Sequence, residues 1–430
     1  MKAVKININK LGAVRDSKIE ISPLTVFSGE SGLGKSYVAF LAHYVFVLLL
    51  SRWDDNRLVR FFTDNGYNFN NILKDKKPGD VFLSISTKEF FSWINKDAVV
   101  YIGYLIGRTD LQGDVNIEFP YYRDKFNFIL QQELSGMDNH EDLFYRIELD
   151  DFNYRVLANK SYELSCEPFA ELIRSVLLED VLGEFRKHRE TFILPPSRGA
   201  LMELSERPDF KSGMYQEFFN LKKRLNSPLD LPLKISPVVN SCLLDINDGN
   251  LQQVGGNLMY YTSKGAEMPL TAAASSIKEL APLTLMFNKF AADSLFVLFE
   301  EPEAHLHPQR QIRVADMIGC SVNMGTHMQV TTHSDYFIKR LNNLMKLYHL
   351  MTLISQDVFE ELLKKWRIRK ECLINPKQVG AYYLTANGDG TSRIVKLDIE
   401  ADMEIPFDSF YKTIEDDMEL SREIRHLYGN

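Results

Sequence analysis

The sequence predicts an α/β fold, and three stretches carry that prediction. Residues 24–27 read as a short apolar strand that enters a glycine-rich turn and leaves as a helix. Residues 295–299 form a second apolar strand, which ends in acidic residues, and the strand from residue 328 ends in a histidine. Strands that alternate with helices in this way are typical of an α/β layer architecture.

The composition is that of an ordinary globular chain with a sizeable core. Of 430 residues, 45% are apolar and 25% are charged, and the formal net charge is −8. This charge argues against a broadly basic surface that coats nucleic acid, but it does not exclude a local basic groove. The four cysteines form no CxxC pair, so we expect neither zinc nor a disulfide framework, and a reducing cytoplasm fits.

No segment of the sequence is typical of a signal peptide or of a membrane span. Residues 1–30 lack the shape of a signal peptide. The most apolar run, residues 38–50, contains His43 and is too short to span comfortably. We predict that this run is a buried helix and that the protein has no membrane partner.

A phosphate loop occupies residues 29–36, GESGLGKS, which match the Walker A pattern GxxxxGK[ST]. Glycines allow the backbone to turn its N–H groups around phosphate oxygens, and the helix that follows adds its positive dipole end. Lys35 would reach the β and γ phosphates of ATP, and Ser36 would ligate Mg²⁺. The nucleotide-binding candidates are Gly29, Ser31, Gly32, Gly34, Lys35 and Ser36.

The acidic end of the second strand matches the Walker B pattern. Glu300 stands where aspartate is usual, and we assign it to Mg²⁺, either directly or through water. Glu301 is assigned to catalysis, orienting or deprotonating the attacking water. Glu303 is expected to cap or solvate the next turn.

His333 ends the third strand, in the segment MQVTTHS. An imidazole at that point can donate a hydrogen bond to a γ phosphate, so His333 is a catalytic candidate. Its alternative role is that of a satisfied turn residue.

A second phosphate-facing helix start is predicted at residues 275–279. Ser276 and Glu279 fit the SxxE capping box ahead of an apolar helix. Ser275, Ser276 and the N–H groups at that helix start can also bind a phosphate. Since the chain has one phosphate loop with its own helix, this suggests that ATP is shared between two copies.

The order of these motifs resembles the ABC-type ATPase head, and more closely the bacterial branch with the OLD, RecF and SMC-like ATPases. The LxGxxGxGKS-type opening and the block EEPEAHLHP are the most specific features. A hairpin ahead of the serine-rich signature and a strand pair in GAYYLTANGDGTSRIVKL agree with it. The resemblance covers residues 1–50, about 190–200 and 242–430.

The resemblance implies a P-loop NTPase head that forms a head-to-tail homodimer with two ATPs between the subunits. It makes His333 the switch histidine, lets Ser275 or Ser276 act across the dimer, and places residues 304–307 in the D-loop. The signature AASSIKEL lacks the glycine pair of transporter signatures, and the usual metal-contacting glutamine has no clear position. Arg198 in ILPPSRGAL resembles a recurrent PxSR segment, with an ordinary loop arginine as the alternative.

The expected organisation is an ATPase core with two additions. The core comprises residues 1–50, 190–204 and 242–430; residues 51–189 are a β-rich and then helical elaboration; and residues 205–241 are a small helical insertion. Strands of an antiparallel β lobe are predicted in DVFLSIST, AVVYIGYLIG, DVNIEF, YRIEL and YELSCE, and an amphipathic helix at 168–190. The basic run KKWRIRK, 364–370, and the acidic stretch 414–423 are predicted to be solvated helix faces.

Two functions remain open. No heptad pattern persists, so a long-armed chromosome-tethering ATPase is not expected. The roughly 97 residues after His333 look like the end of the ATPase lobe, not a TOPRIM nuclease domain of the kind found in OLD proteins. The leading hypothesis is therefore a cytoplasmic, dimerising ATPase that regulates a separate nuclease-like effector, as in bacterial anti-phage defence operons. The alternative is a RecF-like repair ATPase that clamps DNA, so nucleic acid is retained as a candidate partner. The signature argues against a transporter ATPase.

Overall fold

The computed structural model describes residues 2–50, 56–69, 81–120, 123–137, 140–157, 164–183, 189–227, 236–399, 404–406 and 408–428. Its strands are β1 Lys5–Leu11, β2 Val14–Glu20, β3 Leu24–Gly29, β4 Val81–Ser86, β5 Gly113–Glu118, β6 Lys125–Met137, β7 His140–Leu149, β8 Phe152–Leu157, β9 Glu190–Leu194, β10 Gly249–Val254, β11 Asn257–Thr262, β12 Glu267–Pro269, β13 Leu295–Glu300, β14 His327–Thr331, β15 Val379–Ala386 and β16 Ser392–Lys396. Its helices are α1 Lys35–Leu50, α2 Arg57–Asp64, α3 Thr87–Ile106, α4 Glu167–Leu182, α5 Arg198–Glu203, α6 Gly213–Asn226, α7 Pro237–Asn247, α8 Ser275–Lys289, α9 Pro308–Asn323, α10 Asp335–Leu350, α11 Gln356–Trp366 and α12 Asp408–Tyr428.

A nine-stranded sheet with the order β5-β1-β2-β16-β15-β3-β14-β13-β9 forms the centre of the molecule. The five strands from β15 to β9 are parallel to one another. The other half contains the antiparallel pairs β5–β1, β1–β2 and β15–β16. Strand β14 lies between β3 and β13, so the three polar strand ends predicted from the sequence are neighbours.

The central strands are buried on both faces, which explains their continuous apolar sequence. In β13, Phe296 and Leu298 belong to one hydrophobic core, and Leu295, Val297 and Phe299 belong to another. Because successive side chains of a strand point to opposite faces, the two cores lie on the two sides of the sheet. Helix α1 packs in the first core, where residues 38–50 are buried as predicted.

The antiparallel β lobe is a four-stranded sheet with the order β4-β6-β7-β8. Three of the five predicted strand segments are strands, but DVNIEF forms β5, which pairs with β1 at the edge of the central sheet. The strand prediction for AVVYIGYLIG is wrong, because this segment lies in helix α3. Residues 164–166 of YELSCE are not in a strand, and residues 162 and 163 lie outside the described residues.

Helices α2, α3 and α4 also pack in the first core, whereas α5 to α11 form a helical lobe on the other face of the sheet. Helices α5 to α11 contribute most of the second core. The hairpin β10–β11 precedes α8, and β15 and β16 form the predicted terminal strand pair. The predicted fold class, an α/β P-loop head with an antiparallel β lobe and a helical lobe, is therefore confirmed.

Within the described residues, no helix combines the length and the apolarity that crossing a membrane requires.

Candidate functional site

The phosphate loop, the two Walker B acids and His333 meet at one edge of the central sheet. Strand β3 ends at Gly29, β13 ends at Glu300, and β14 between them ends at Thr331. Glu300 is in register with Thr331, and the N–H of Thr332 donates to the carbonyl of Phe27 at 3.0 Å. The carboxyl ends of parallel strands are where α/β proteins bind ligands.

Three glycines give the phosphate loop its backbone path. Gly29, Gly32 and Gly34 have φ values of 127°, 81° and 96°, which disfavour any residue with a side chain. A Cβ on Gly29 would also lie 2.6 Å from the carbonyl oxygen of Leu384 on β15. The hydroxyl of Ser392 on β16 donates to the carbonyl of Leu33 at 2.7 Å, so the loop is supported from the antiparallel half of the sheet.

Lys35 lies in the concave side of the loop and is nearly buried. Its ammonium group donates to the carbonyls of Gly29 and Glu30, both at 2.8 Å. Burial lowers the pKa of Lys35, and the charges of Glu301, Glu303 and Glu300 counteract that effect. The lysine is therefore placed between the loop and the acidic strand end, where an anion would be attracted.

Ser36 and Glu300, the two predicted Mg²⁺ ligands, are in contact. Glu300 is 3% exposed, and burial raises its pKa to about 7, against the hydrogen bond from the Ser36 side chain, which lowers it. The Oε1 atom of Glu300 has no hydrogen-bond partner among the described residues. A buried carboxylate with an oxygen still to be satisfied, beside a serine hydroxyl, fits a bound divalent cation.

The protein alone does not supply a complete metal cage at this point. No group of three or more His, Cys, Asp or Glu side chains suited to a metal ion occurs in the part of the chain that the structure describes. Mg²⁺ usually takes one or two protein ligands and completes its shell with phosphates and water.

Glu301 follows the strand in a strained conformation. Its φ is 44°, uncommon for a residue with a side chain, and its N–H donates to the carbonyl of Thr331 at 3.0 Å. The chain therefore turns sharply after Glu300, so the two neighbouring glutamates do not continue the alternation of the strand. Glu301 is partly exposed, whereas Glu300 is buried.

Glu303 has a role that differs from the predicted one. It is 8% exposed, and its Oε1 atom accepts from the Thr332 hydroxyl at 2.8 Å and from the N–H of His333 at 2.9 Å. The imidazole Nδ1 of His333 lies 3.7 Å from the same oxygen. Burial raises the pKa of Glu303, and the hydrogen bond from the His333 backbone counteracts this. Glu303 therefore positions His333, and the prediction that it caps or solvates the next turn is wrong.

The capping box predicted at Ser276 and Glu279 is also wrong. Helix α8 begins at Ser275 after Ala274, without a side-chain cap. The Ser276 hydroxyl accepts from Arg310 Nη1 on α9 at 2.7 Å, and Ser275 is exposed. The hydrogen bonds of the described residues include none between these serines and the phosphate loop.

Arg198 joins the helix that carries these serines to the acidic strand. It is fully buried, with its guanidinium 4.5 Å from the centre of the Phe299 ring. It donates to the carbonyls of Glu279 at 2.9 Å, Pro195 at 3.0 Å and Glu300 at 3.2 Å. Burial lowers the pKa of Arg198 to about 10, so it remains a cation at neutral pH. Arg198 is therefore not an ordinary loop arginine. The PPSR segment is the sequence signal that indicated a special role for it.

Helices α5 and α8 approach each other closely at Gly199, the residue after Arg198. Ser197 has a φ of 58°, and a Cβ on Gly199 would lie 2.9 Å from both the amide nitrogen and Oε1 of Glu279. The SRG sequence therefore lets the start of α5 approach α8 closely enough for Arg198 to reach both carbonyls.

A sequence profile of the AAA ATPase domain family matches residues 201–338. This segment contains the serines at the start of α8, both Walker B acids and His333, and it lies after the phosphate loop. No curated protein sequence matches the chain.

Three solved structures of SMC heads are similar to the chain at low identity. The SMC head domain from Thermotoga maritima has a TM-score of 0.36 and 12% identity, over 93% of this chain and 100% of that one. An SmcHead bound to the C-winged helix domain of ScpA gives 0.36 and 13%, over 94% and 99%. An Smc head with an extended coiled coil, bound to the C-terminal domain of ScpA and derived from Pyrococcus furiosus, gives 0.35 and 14%, over 98% and 99%.

The site and the matched domain together define a class. A phosphate loop, a buried strand-end acid in contact with the loop serine, and an AAA ATPase domain match support an ATPase with a P-loop fold.

Proposed function

We propose that this chain is an ATP-binding and ATP-hydrolysing switch that works as a dimer and regulates a separate effector protein. The observation that carries the nucleotide part is the contact of Ser36 with the buried Glu300, beside the ammonium group of Lys35. In this proposal, the loop glycines, Lys35, Ser36 and Glu300 together bind a Mg²⁺–ATP complex.

Each residue has a distinct task in this proposal. The N–H groups of the loop and Lys35 bind the phosphates, and Ser36 and Glu300 hold Mg²⁺, which supplies charge neutralisation at the phosphates. Glu301 orients or deprotonates the attacking water. His333, fixed through its backbone by Glu303, donates to the γ phosphate.

A second copy is proposed to complete the site. Ser275 and Ser276 lie at the exposed start of a 15-residue helix and make no hydrogen bond to the loop of their own chain among the described residues. In a head-to-tail homodimer they would meet the γ phosphate held by the other copy. ATP then stabilises the closed dimer because it contacts both subunits only in that state.

Two substitutions test the ATPase part. Lys35→Ala is expected to abolish binding of a fluorescent ATP analogue, while the exposed control Lys264→Ala binds as the wild type does. Glu301→Gln is expected to bind ATP, to slow phosphate release by roughly a hundredfold, and to accumulate an ATP-dependent dimer in mass photometry. The exposed control is Glu206→Gln. Hydrolysis by Glu301→Gln at the wild-type rate would show that the catalytic assignment is wrong.

The effector part rests on the resemblance to OLD-like ATPases, including its association with bacterial anti-phage defence and with the cytoplasm. It is tested by capture of tagged Glu301→Gln protein from its native host in the presence of ATP, with mass spectrometry and nuclease digestion of what is bound. A stoichiometric nuclease-like or toxin-like protein supports the regulator. Recovery of DNA without such a protein supports the RecF-like clamp instead.

A further inference from the structure

The helical lobe carries an apolar groove of about 470 Å³ between α10 and α11. Its apolar lining comprises Leu347, Leu350, Leu353, Leu362, Trp366 and Ile368. Leu353 is 64% exposed and Trp366 is 63% exposed, so the groove opens to solvent. Exposed apolar surface that polar residues surround is a feature of interaction sites.

The charged residues that line the groove are basic. Arg340 and Lys346 line it, and no carboxylate does so among the described residues. The basic run 364–370 includes Trp366 and Ile368, and Lys364, Lys365 and Arg367 are exposed there. Arg340 and Lys346 are each paired with an acid of their own chain, Asp316 and Glu404. Since the two cations that line the groove are already paired, it is the exposed cations of the basic run that favour an occupant with one apolar face and one acidic face.

Helix α12 has that chemistry. Leu420, Ile424 and Leu427 have the spacing i, i+4, i+7 and form one stripe, and all three are exposed. The segment 415–428 also contains five carboxylates and two arginines, which makes it acidic. In proteins, most of the stability of an amphipathic helix comes from packing of its apolar face.

Helix α12 starts beside the groove but does not fill it. Asn342 on α10 exchanges two hydrogen bonds of 2.9 Å with the backbone of Ile405, which is fully buried. Residues 404–406 are therefore fixed to α10, and α12 contacts α10 as well. Yet every described side chain of α12, from residue 415 to residue 428, is exposed.

The lengths of the two surfaces also match. The part of α10 from Arg340 to Leu350 spans about 15 Å at 1.5 Å per residue, and the part of α12 from Met418 to Tyr428 spans about the same. An amphipathic helix in a groove is a common mode of recognition, with its anchors at this spacing.

We propose that the α10–α11 groove binds helix α12 of a second copy of this chain, so that two copies exchange their α12 helices. In a twofold arrangement each copy offers both the helix and the groove, so the contact closes on itself. None of the proposed ATP-site residues is among the groove residues or in the described part of α12, so this interface is independent of the proposed nucleotide-dependent dimer.

Site-directed crosslinking tests the proposal on the full chain without nucleotide. One tagged chain carries Leu353→Cys and a differently tagged chain carries Ile424→Cys, both in a Cys166→Ser background because the other three native cysteines are buried. A short bismaleimide is expected to join the two different chains. The control Phe82→Cys, on the exposed surface of β4, is expected to give no product with Ile424→Cys.

The other outcomes contradict the proposal. A single chain that carries both cysteines and crosslinks only internally would show that α12 covers its own groove. The absence of any product would show that α12 does not occupy the groove at all. Either result overturns helix exchange.

A second measurement separates self-association from nucleic-acid binding. Ile424→Asp with Leu427→Asp is expected to weaken nucleotide-free dimerisation by roughly tenfold or more in mass photometry, without loss of ATP binding, because both side chains are exposed in one copy. If Trp366→Ala instead abolishes binding of a short DNA duplex or single strand and leaves the oligomeric state unchanged, the groove serves nucleic acid and the proposal is wrong.

The Lys35→Ala variant distinguishes failure of the helix-exchange proposal from failure of the proposed ATPase function. Lys35→Ala is expected to keep the α12 crosslink while it loses ATP binding. Loss of the crosslink in that variant would overturn the independence of the two interfaces.

Discussion

The guanidinium group of Arg198 donates a hydrogen bond to the backbone carbonyl of Glu300, at 3.2 Å. The same group holds the carbonyl of Glu279 in helix α8. One buried side chain thus connects the acidic strand end, where Mg²⁺ is proposed to bind, to the helix whose first residues are proposed to face a second copy. A movement of α8 on dimer closure would be transmitted to Glu300 through Arg198.

We predict that Arg198→Met uncouples ATP binding from turnover. The substitution keeps an unbranched apolar side chain but removes the guanidinium that lies over Phe299 and donates to three carbonyls. Phosphate release is therefore expected to fall by roughly tenfold or more while ATP affinity changes by less than about threefold. Buried carbonyls without donors cost about 1–3 kcal/mol each, so thermal stability is expected to fall as well.

Two controls make this prediction specific. Arg207→Met removes an arginine that is exposed and bonded to Gln216, and its turnover is expected to be that of the wild type. Arg198→Lys retains a cation and is expected to recover part of the stability but little of the turnover, since lysine cannot hold three carbonyls in the same geometry. Equal turnover in Arg198→Met and the wild type would refute the coupling role.

The second prediction concerns Glu303 and His333. If Glu303 acts by accepting from Thr332 and from the His333 backbone, Glu303→Gln retains an acceptor and is expected to keep turnover within about threefold of the wild type. Glu303→Ala leaves both donors unpaired and is expected to lower turnover about as much as His333→Ala does. Because the two residues act as one unit, the double variant is expected to be no worse than either single variant by more than about twofold.

Steady-state phosphate release for the four variants decides this point. A collapse of turnover in Glu303→Gln would mean that the carboxylate itself is needed, and the assignment of catalysis to Glu301 would then have to be revised.

The third prediction concerns the close contact of Gly29 with β15. A Cβ at Gly29 meets the Leu384 carbonyl at 2.6 Å, and backbone atoms cannot move aside as a flexible side chain can. Gly29→Ala is expected to lower the free energy of unfolding by about 2–3 kcal/mol and to weaken ATP binding by roughly tenfold or more. Gly255→Ala is the matched control, with a φ of 56° and open space around it, and it is expected to cost only about 1 kcal/mol. Chemical denaturation of both variants measures these losses in the free energy of unfolding. Equal losses in Gly29→Ala and Gly255→Ala would argue against the contact with the Leu384 carbonyl.

The candidate site residues that the structure brings together lie in contiguous motifs at strand ends. The phosphate loop and the acids after β13 follow from chain-local patterns, and the parallel sheet then brings them to one edge. The role of Arg198 was not predictable in the same way, because its partners Glu279 and Glu300 lie 81 and 102 residues away. The thiols of Cys242 and Cys372, 130 residues apart, likewise meet at 3.8 Å only in the folded chain.

The segment AVVYIGYLIG shows a different limit. Its β-branched and aromatic residues favour a strand, but the longer window has buried residues at Phe90, Ile94, Ala98, Tyr101 and Leu105, which is the spacing of a helix face. Packing of this face against neighbouring elements outweighs the local preference for strand. A window of fifteen or more residues would have contained the signal, since the alternation of a strand is absent from it.

The last prediction is a pH dependence of stability that originates in His43. This side chain lies fully buried in α1, and its Nδ1 atom has no hydrogen-bond partner among the described residues. Burial lowers the pKa of His43 to about 3 from the ordinary value of 6.5. Since the folded state has the lower pKa, protonation favours the unfolded chain, and the stability that neutral His43 provides is lost as the pH falls from 6.5 toward 3.

At about pH 5 this loss amounts to roughly 2 kcal/mol relative to about pH 7.5, from 1.36 kcal/mol per pH unit below 6.5. We expect His43→Leu, which cannot be protonated, to lose that much less stability than the wild type between these two pH values. The exposed His349→Leu is expected to follow the wild-type curve. His327, whose pKa burial lowers to about 4, contributes a similar loss in all three proteins and cancels in the comparison. Urea denaturation at both pH values measures the difference, and parallel curves for His43→Leu and the wild type would show that His43 is not held neutral in the core.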